Sequence, residues 1–196
     1  MGQDNMLKIG LTGGIGSGKS TVCEIFQLFG IPVYNSDDRA KFLMNSEPNL
    51  ISNIQANFGE EAYLDGKLNR EYLASKVFHD EEALAQLNAL VHPAVGRDFD
   101  HWASEQDSEI LIKEAAILIE SGAYKQCDKI AVVTCPVDTR VERVMKRDGV
   151  TAEEVQARIS KQLSDEERLY HADFVIDNSG EKLIIPQVQE ILGQLQ

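Results

Sequence analysis

Short apolar runs alternate along this chain with segments in which apolar residues recur every three or four positions. The runs predict five β-strands, at residues 7–11, 31–34, 110–112, 130–134 and 174–176. The periodic segments between them predict helices. Such alternation favours a three-layer α/β fold with a mostly parallel sheet, in which ligands bind at the carboxyl ends of the strands.

The segment between the first strand and the first helix is rich in glycine. It reads Gly13-Gly14-Ile15-Gly16-Ser17-Gly18-Lys19-Ser20 and fits the phosphate-binding pattern G-x-x-x-x-G-K-[ST]. Glycines let backbone N–H groups turn inward around a triphosphate, and a helix that begins at Lys19 directs its positive end at the anion. Lys19 reaches the β- and γ-phosphates, Ser20 is a ligand for phosphate-bound Mg²⁺, and Thr21 adds a second hydroxyl. A tight turn without a ligand is the alternative.

Size and charge narrow the class of protein. The length of 196 residues predicts a single domain, 1–196. The formal charge of −13 argues against binding along a nucleic-acid backbone. No apolar run approaches the roughly 20 residues of a membrane span, and residues 1–6 lack an apolar signal region, so we expect a cytoplasmic protein. Three cysteines without a C-x-x-C pair predict reduced, packed thiols. No obligate protein partner is evident.

About seventy residues separate the second and third predicted strands, which is long for a crossover. This segment, 38–108, is predicted to be a helical insertion that binds the second substrate. An apolar stripe within it is expected to end at His92, because Pro93 disfavours helix there. His92 is either a ligand-facing or a packed histidine.

The segment 138–171 predicts a helical lid. Arg140, Arg143 and Arg147 are spaced to share one helix face. Two capping-box patterns follow, Thr151 with Glu154 and Ser164 with Glu167. Arg158 and Gln162, four residues apart, are predicted to point toward the same cleft, although single surface arginines are usually solvated.

A small-molecule kinase requires a carboxylate near the acceptor hydroxyl, cations on the transferring phosphoryl group and a closing lid. Asp37, after the second strand, is the candidate general base, and helix capping is its competing role. Arg39 is a candidate for binding an anionic acceptor. Glu114, after the third strand, is a candidate partner of the substrate or of the water around a metal ion.

Beyond the glycine-rich loop, the chain resembles the dephospho-coenzyme A kinase family from end to end. The resemblance is carried by Ser36-Asp37, by Leu87-Asn88-Ala89-Leu90-Val91-His92-Pro93 and by Asp177-Asn178-Ser179-Gly180. It implies a P-loop kinase fold with a helical acceptor-binding part and a lid. The implied reaction transfers the γ-phosphoryl group of ATP to the ribose 3′-hydroxyl of dephospho-CoA, with Mg²⁺.

The resemblance also implies roles for individual residues. Asp37 matches the catalytic base, and Lys19, Arg143 and Arg147 match phosphate-binding positions. The segment with Asn178 and Gly180 matches one near the adenine of ATP. Further acceptor-binding positions are implied at His92, Glu114, Arg158 and Gln162, whereas Arg39 rests on its position alone and has a surface role as its alternative.

Two residues depart from the family pattern. Asn35 stands where the family usually has Asp, and Ala116 stands where it usually has Pro. We expect these departures to alter acceptor contacts and to leave the activity intact. Another small-molecule P-loop kinase and a nucleotide-gated regulatory ATPase are the alternatives.

Overall fold

The computed structural model describes residues 6–78 and 80–195. It forms two compact units, one of Met1–Asn35 with Gln106–Gln196 and one of Ser36–Glu105. The predicted insertion, 38–108, overlaps the second unit. That the whole chain acts as one kinase domain stays a prediction. Residues 1–5, on which most of the expected lack of a signal segment rests, lie outside the described residues.

The strands are β1 (Leu7–Thr12), β2 (Val33–Asn35), β3 (Tyr63–Leu64), β4 (Lys67–Leu68), β5 (Ile110–Glu114), β6 (Lys129–Thr134) and β7 (Phe174–Asp177). The α-helices are α1 (Lys19–Leu28), α2 (Ser36–Ser46), α3 (Pro48–Phe58), α4 (Arg70–Val77), α5 (Glu81–Ser104), α6 (Val137–Asp148), α7 (Ala152–Ile159), α8 (Asp165–Tyr170) and α9 (Ile184–Gln194). Short 3₁₀ helices span Glu60–Ala62 and Ala123–Gln126.

The first unit is built on a parallel sheet of five strands in the order β2-β5-β1-β6-β7. All four pairings are parallel, and Leu11 in the central strand lies opposite Glu114 on one side and Ala131 on the other. The predicted strands and their parallel arrangement are thus confirmed. Because the strands run the same way, the chain segments that follow β1, β2 and β5 leave the sheet at one edge.

Apolar side chains cover both faces of this sheet. On one face, α1 and α9 bury Ile9, Leu11 and Ile112 in the main core. On the other face, Leu118 and its neighbours after β5 pack on Ile130 and Val132. The alternation of side chains along β1 explains the two layers, since successive residues of a strand point to opposite faces.

Helix α1 has the predicted limits. It begins at Lys19 after Gly18, whose φ of 91° is the left-handed conformation that glycine tolerates best. It ends at Leu28 and is followed by Gly30 with φ 77°. The N-cap residue Gly18 makes no side-chain cap hydrogen bond, and the start of such a helix is suited to binding an anion.

The second unit contains α2 to α5 and a two-stranded antiparallel sheet of β3 and β4. The pattern of apolar residues does not predict this hairpin. Its turn is Asp65-Gly66, with φ of 49° and 74°. Asp-Gly between two short strands is a recognised hairpin signal, and the strands of two residues were too short to show an alternating pattern.

The expected end of the apolar stripe at His92 is wrong. Helix α5 runs through Pro93 and continues to Ser104. Proline costs a helix one hydrogen bond and introduces a clash, but that cost is overcome here by burial beyond the proline. Val95, Phe99 and Ala103 are all buried on the continuing helix.

The predicted lid contains α6, α7 and α8. Gly149, with φ 68°, ends α6. Both predicted capping boxes are confirmed, with Thr151 and Glu154 at the start of α7 and Ser164 and Glu167 at the start of α8. Closure of this segment over a bound nucleotide stays a prediction.

Candidate active site

The phosphate-binding loop connects β1 to α1 at the carboxyl edge of the parallel sheet. The N–H of Ser17 donates to the carbonyl of Gly14 at 3.0 Å, which closes a turn inside the loop. A Cβ atom on Gly14 would collide with the Arg140 guanidinium. A side chain at Gly14 would thus displace Arg140, whereas the curvature of the loop needs glycine at Gly16 and Gly18, with φ of 79° and 91°.

Lys19 lies between a carbonyl and a carboxylate. Its ammonium donates to the Gly13 carbonyl at 3.0 Å, and it lies 4.0 Å from Oε1 of Glu114. The Lys19 side chain is 13 % exposed and the Glu114 side chain is 7 % exposed. A cation held near the start of a helix, in a loop of inward-turning amides, is suited to binding a polyphosphate.

Glu114 also has a partner on the neighbouring strand. The Asn35 side-chain amide donates to Oε2 of Glu114 at 2.7 Å. The two residues lie opposite each other in the β2–β5 register, so their side chains leave the sheet on the same side. The structure therefore brings together Lys19, Glu114 and Asn35.

The lid helices contact the loop at Ile15. The Ile15 side chain packs against a cluster of Val141, Val144 and Val155 from α6 and α7. Its backbone N–H donates to the Gln162 side chain at 2.9 Å. Gln162, predicted from its spacing, thus reaches the phosphate-binding loop itself.

Two buried arginines lie beside the loop. Arg140 is 3 % exposed and pairs with Asp165 at 2.9 Å. Arg168 is 1 % exposed and pairs with Asp165 at 3.2 Å and with Glu120 at 3.7 Å. Together with Gln162 they line a pocket of about 470 Å³.

Both arginines retain hydrogen-bonding capacity. No described residue accepts a hydrogen bond from Nε of Arg140 or from Nε and Nη2 of Arg168, although these atoms are buried. A buried guanidinium with unused donors is suited to an anionic ligand. The sequence does not predict a site role for Arg168, because its short polar helix is typical of solvated surface. Arg140 belongs to the predicted arginine stripe but was not predicted as a site residue.

Arg143 and Asn178 connect the lid to the end of β7. Arg143 donates to the Asn178 carbonyl at 3.1 Å and contacts the Cys135 sulfur at 3.3 Å. The Asn178 side chain in turn donates to the Ser17 carbonyl at 2.7 Å. Gly180 follows in an exposed turn with φ 101°. Arg143 and Asn178 are therefore brought to the loop.

Arg147 and Arg158 both bind a carboxylate at the end of α6. Both are exposed and both pair with Asp148, Arg147 at 2.7 Å and Arg158 at 2.9 Å. The hydrogen bond from Arg147, followed by its charge and a hydrogen bond from Arg158, lowers the pKa of Asp148 below its usual value. The predicted common face of three arginines holds for Arg140 and Arg143, whereas Arg147 turns to the end of its own helix.

Three predicted acceptor residues belong to the second unit. Asp37 is exposed in the first turn of α2, where a carboxylate favours the helix N-terminus. Arg39 binds Asp98 on α5 through two hydrogen bonds and stacks on Phe42 at 4.7 Å. His92 is half-buried within α5, and burial lowers its pKa below 6.5.

The cysteines are free, as predicted. Burial raises the pKa of Cys23 to about 12 and that of Cys127 to about 11. Burial also raises the pKa of Cys135, against an opposing effect of Arg143. All three thiols are therefore protonated near neutral pH, when thiols are weak nucleophiles and weak metal ligands.

The donor set fits a magnesium ion that arrives with its phosphates. No group of three or more His, Cys, Asp or Glu residues suited to a metal occurs among residues 6–78 and 80–195. Ser20 offers an exposed hydroxyl at the start of α1, and Glu114 offers a carboxylate at the same sheet edge. Mg²⁺ typically takes few protein oxygens and several from phosphate and water. Ser20 and Glu114 are compatible with that requirement.

A glycine-rich loop between a parallel strand and a helix, with a lysine held above it, defines a P-loop nucleotide-binding protein. The sequence profile described as dephospho-CoA kinase matches residues 7–183. A dephospho-CoA kinase from Bacteroides fragilis is 42 % identical over 190 residues, covering 96 % of this chain and 93 % of that protein. The chain belongs to the dephospho-CoA kinase family and is an ATP-dependent kinase.

Solved structures agree with this assignment. A structure from Thermus thermophilus has a TM-score of 0.87 and 34 % identity, covering 98 % of this chain and all of that chain (100 %). Dephospho-CoA kinase from Campylobacter jejuni has a TM-score of 0.69 and 26 % identity, with 96 % of each chain covered. None of the helices described here has the length and apolar character needed to cross a bilayer.

Proposed function

We propose that this chain transfers the γ-phosphoryl group of ATP to the ribose 3′-hydroxyl of dephospho-CoA at the phosphate-binding loop. The observation that carries the proposal is the position of Lys19, between the Gly13 carbonyl and the Glu114 carboxylate at the head of α1. Family membership supplies the identity of the acceptor.

The triphosphate is bound mainly by the loop. The loop residues Gly14, Ile15, Gly16, Ser17, Gly18, Lys19 and Ser20, with the Thr21 hydroxyl, surround the phosphates. Because Gln162 now accepts from the Ile15 N–H, that amide becomes available only when the glutamine moves away. Asn178 and Gly180 lie on the segment expected to meet the adenine.

Cationic side chains stabilise the charge that develops on the transferring group. Lys19 and Arg143 do so from the loop and from α6. Arg140 and Arg168 join them, since Nη1 of each guanidinium lies beside Gly14. Arg147 remains a proposed ligand of the nucleotide, for which it has to leave Asp148.

Ser20 would hold Mg²⁺ directly, and Glu114 would contact it through water. Bound there, the ion would neutralise part of the charge on the phosphates. Lys19 supplies positive charge on the same phosphates, and the loop amides keep them in place.

Asp37 is the proposed general base. It accepts the proton of the 3′-hydroxyl while the ribose oxygen forms a bond to the γ-phosphorus. The bond from that phosphorus to the β–γ bridging oxygen breaks, and ADP leaves. Arg39, His92, Glu114, Arg158 and Gln162 are the proposed acceptor-binding residues, with Arg39 acting through its link to α5.

We expect the reaction to take place in the cytoplasm, where free thiols such as Cys23 and Cys127 stay reduced. The formal charge of −13 gives no support to a nucleic-acid partner.

The test is ADP release from Mg-ATP with and without dephospho-CoA. We expect release to depend on the acceptor and Lys19→Ala to lose most of it. Release of equal size without the acceptor would contradict the proposal. Full activity of Lys19→Ala would contradict the assignment of the loop.

A further inference from the structure

Asn35 and Glu114 form a side-chain pair at the carboxyl ends of two neighbouring strands. They are the last residues of β2 and β5 and lie opposite each other in the parallel register. The Asn35 amide donates to Oε2 of Glu114 at 2.7 Å. One oxygen of the carboxylate is thereby held by an uncharged donor.

The other oxygen of Glu114 faces the phosphate-binding lysine. Oε1 lies 4.0 Å from Nζ of Lys19, and Lys19 also donates to the Gly13 carbonyl at 3.0 Å. The Glu114 side chain is only 7 % exposed, so water screens its charge poorly. A rotation of the carboxylate would change the field at Lys19.

We propose that Asn35 is a positioning residue that fixes the Glu114 carboxylate so that its charge faces Lys19. The inference rests on the proposed function, because the lysine matters only if phosphates bind there. Asn35 itself touches neither phosphate nor acceptor in this scheme and acts through Glu114.

The groups around Glu114 explain why position 35 holds it better with an amide than with a carboxylate. Helix α1 presents Lys19 and Cys23, and the Cys23 thiol is neutral because burial raises its pKa to about 12. Strand β1 presents Leu11 opposite Glu114. An aspartate at position 35 would place a second carboxylate against the first, and like charges in one site repel. An amide holds Glu114 without that repulsion.

The first experiment measures kcat and the KM for ATP in Asn35→Ala, with Asn49→Ala as control. Asn49 is exposed near the start of α3. We expect Asn35→Ala to lower kcat by about tenfold and to change the KM for ATP less, because a correctly placed lysine matters most in the transition state. We expect the control variant to have nearly the same kcat and KM for ATP as the unsubstituted chain. Equal kcat in both variants would overturn the inference.

A double-mutant cycle tests whether Asn35 acts through Glu114. In a Glu114→Ala background, Asn35→Ala should cause little further loss, since the group it positions is already gone. A further loss of about tenfold in that background, as large as in the unsubstituted chain, would mean that Asn35 acts by another route.

The exchange variant Asn35→Asp with Glu114→Gln distinguishes positioning of the Glu114 charge from a hydrogen bond that only stabilises the fold. It keeps one amide, one carboxylate and their hydrogen bond, but moves the charge from β5 to β2. We expect its Tm to match the unsubstituted chain and its kcat to stay reduced. If both Tm and kcat recover, the hydrogen bond only stabilises the fold, and the inference is overturned.

The outcomes also distinguish this inference from the proposed function. If the unsubstituted chain shows no acceptor-dependent ADP release, the proposed function fails and the inference fails with it. If the chain is active and Lys19→Ala is not, while Asn35→Ala keeps full kcat, the function stands and the inference alone is wrong.

Discussion

The Gln162 side chain accepts a hydrogen bond from the backbone N–H of Ile15 at 2.9 Å, across 147 positions of sequence. This contact joins the turn between α7 and α8 to the phosphate-binding loop. It occupies an amide that the proposed function assigns to the triphosphate. Gln162 is therefore positioned to couple the lid to the state of the loop.

Replacement of Gln162 tests that coupling. Gln162→Ala removes the acceptor, and we expect faster hydrogen exchange of the Ile15 amide in the protein without nucleotide. Gln162→Glu keeps the shape but adds a negative charge beside the loop, so we expect the KM for ATP to rise by about fivefold. If the Ile15 amide exchanges at the same rate in Gln162→Ala as in the unsubstituted chain, the coupling is contradicted.

Asp37 can be tested against its neighbour Asp38, since both are exposed in the first turn of α2. We expect Asp37→Asn to bind ATP within a few-fold of the unsubstituted chain and to lose about 10²-fold or more in kcat, as for other general bases. Asp38, which pairs with Lys41 at 2.8 Å, supplies the control Asp38→Asn, with kcat nearly unchanged. Steady-state kinetics and ATP titration give both quantities. Normal turnover of Asp37→Asn would remove Asp37 from the role.

Arg168 should matter for stability as well as for phosphate binding. Arg168→Ala leaves Asp165 and Glu120 without this partner and opens space among the lid helices. We expect the free energy of unfolding to fall by about 2 kcal/mol or more, measured by urea denaturation. Lys146→Ala, at an exposed position of α6, is the control. Equal unfolding midpoints for the two variants would show that the buried guanidinium is dispensable.

His92 predicts a pH dependence of stability. Burial lowers its pKa in the folded state below 6.5, so the unfolded chain binds a proton at a higher pH than the folded chain. The free energy of unfolding therefore falls as the pH falls below about 6.5, and His92→Gln should reduce that fall between about pH 7 and about pH 5.

His101→Gln, at an exposed position of the same helix, serves as the control for His92. Denaturant unfolding at several pH values measures the slope. If His92→Gln leaves unchanged the slope of the free energy of unfolding against pH, the contribution of this half-buried imidazole is contradicted.

Local pattern was sufficient to predict the sheet and the loop. Each strand of the sheet contains a short apolar run. The glycine pattern of the loop reflects backbone geometry that few other residues permit. The two capping boxes were predictable for the same reason, since each depends on residues three positions apart. Pro93 was misjudged because burial of Val95 and Phe99 beyond it is a tertiary effect.

The contacts of the site depend on residues far apart in sequence. Arg168 and Arg147 look alike as arginines on polar helices, yet one is buried beside the loop and the other pairs with Asp148. The pairing of Asn35 with Glu114 follows from the order of strands, which the pattern of each strand leaves open. Local spacing therefore does not predict which side chains of the site pair with one another.

The most direct measurement is identification of the product formed from Mg-ATP and dephospho-CoA, by mass spectrometry and phosphorus NMR. The account predicts an acceptor that gains one phosphate as a monoester on the ribose 3′-oxygen, with one ADP formed for each. Accumulation of ADP and inorganic phosphate, with the acceptor unchanged, would contradict it.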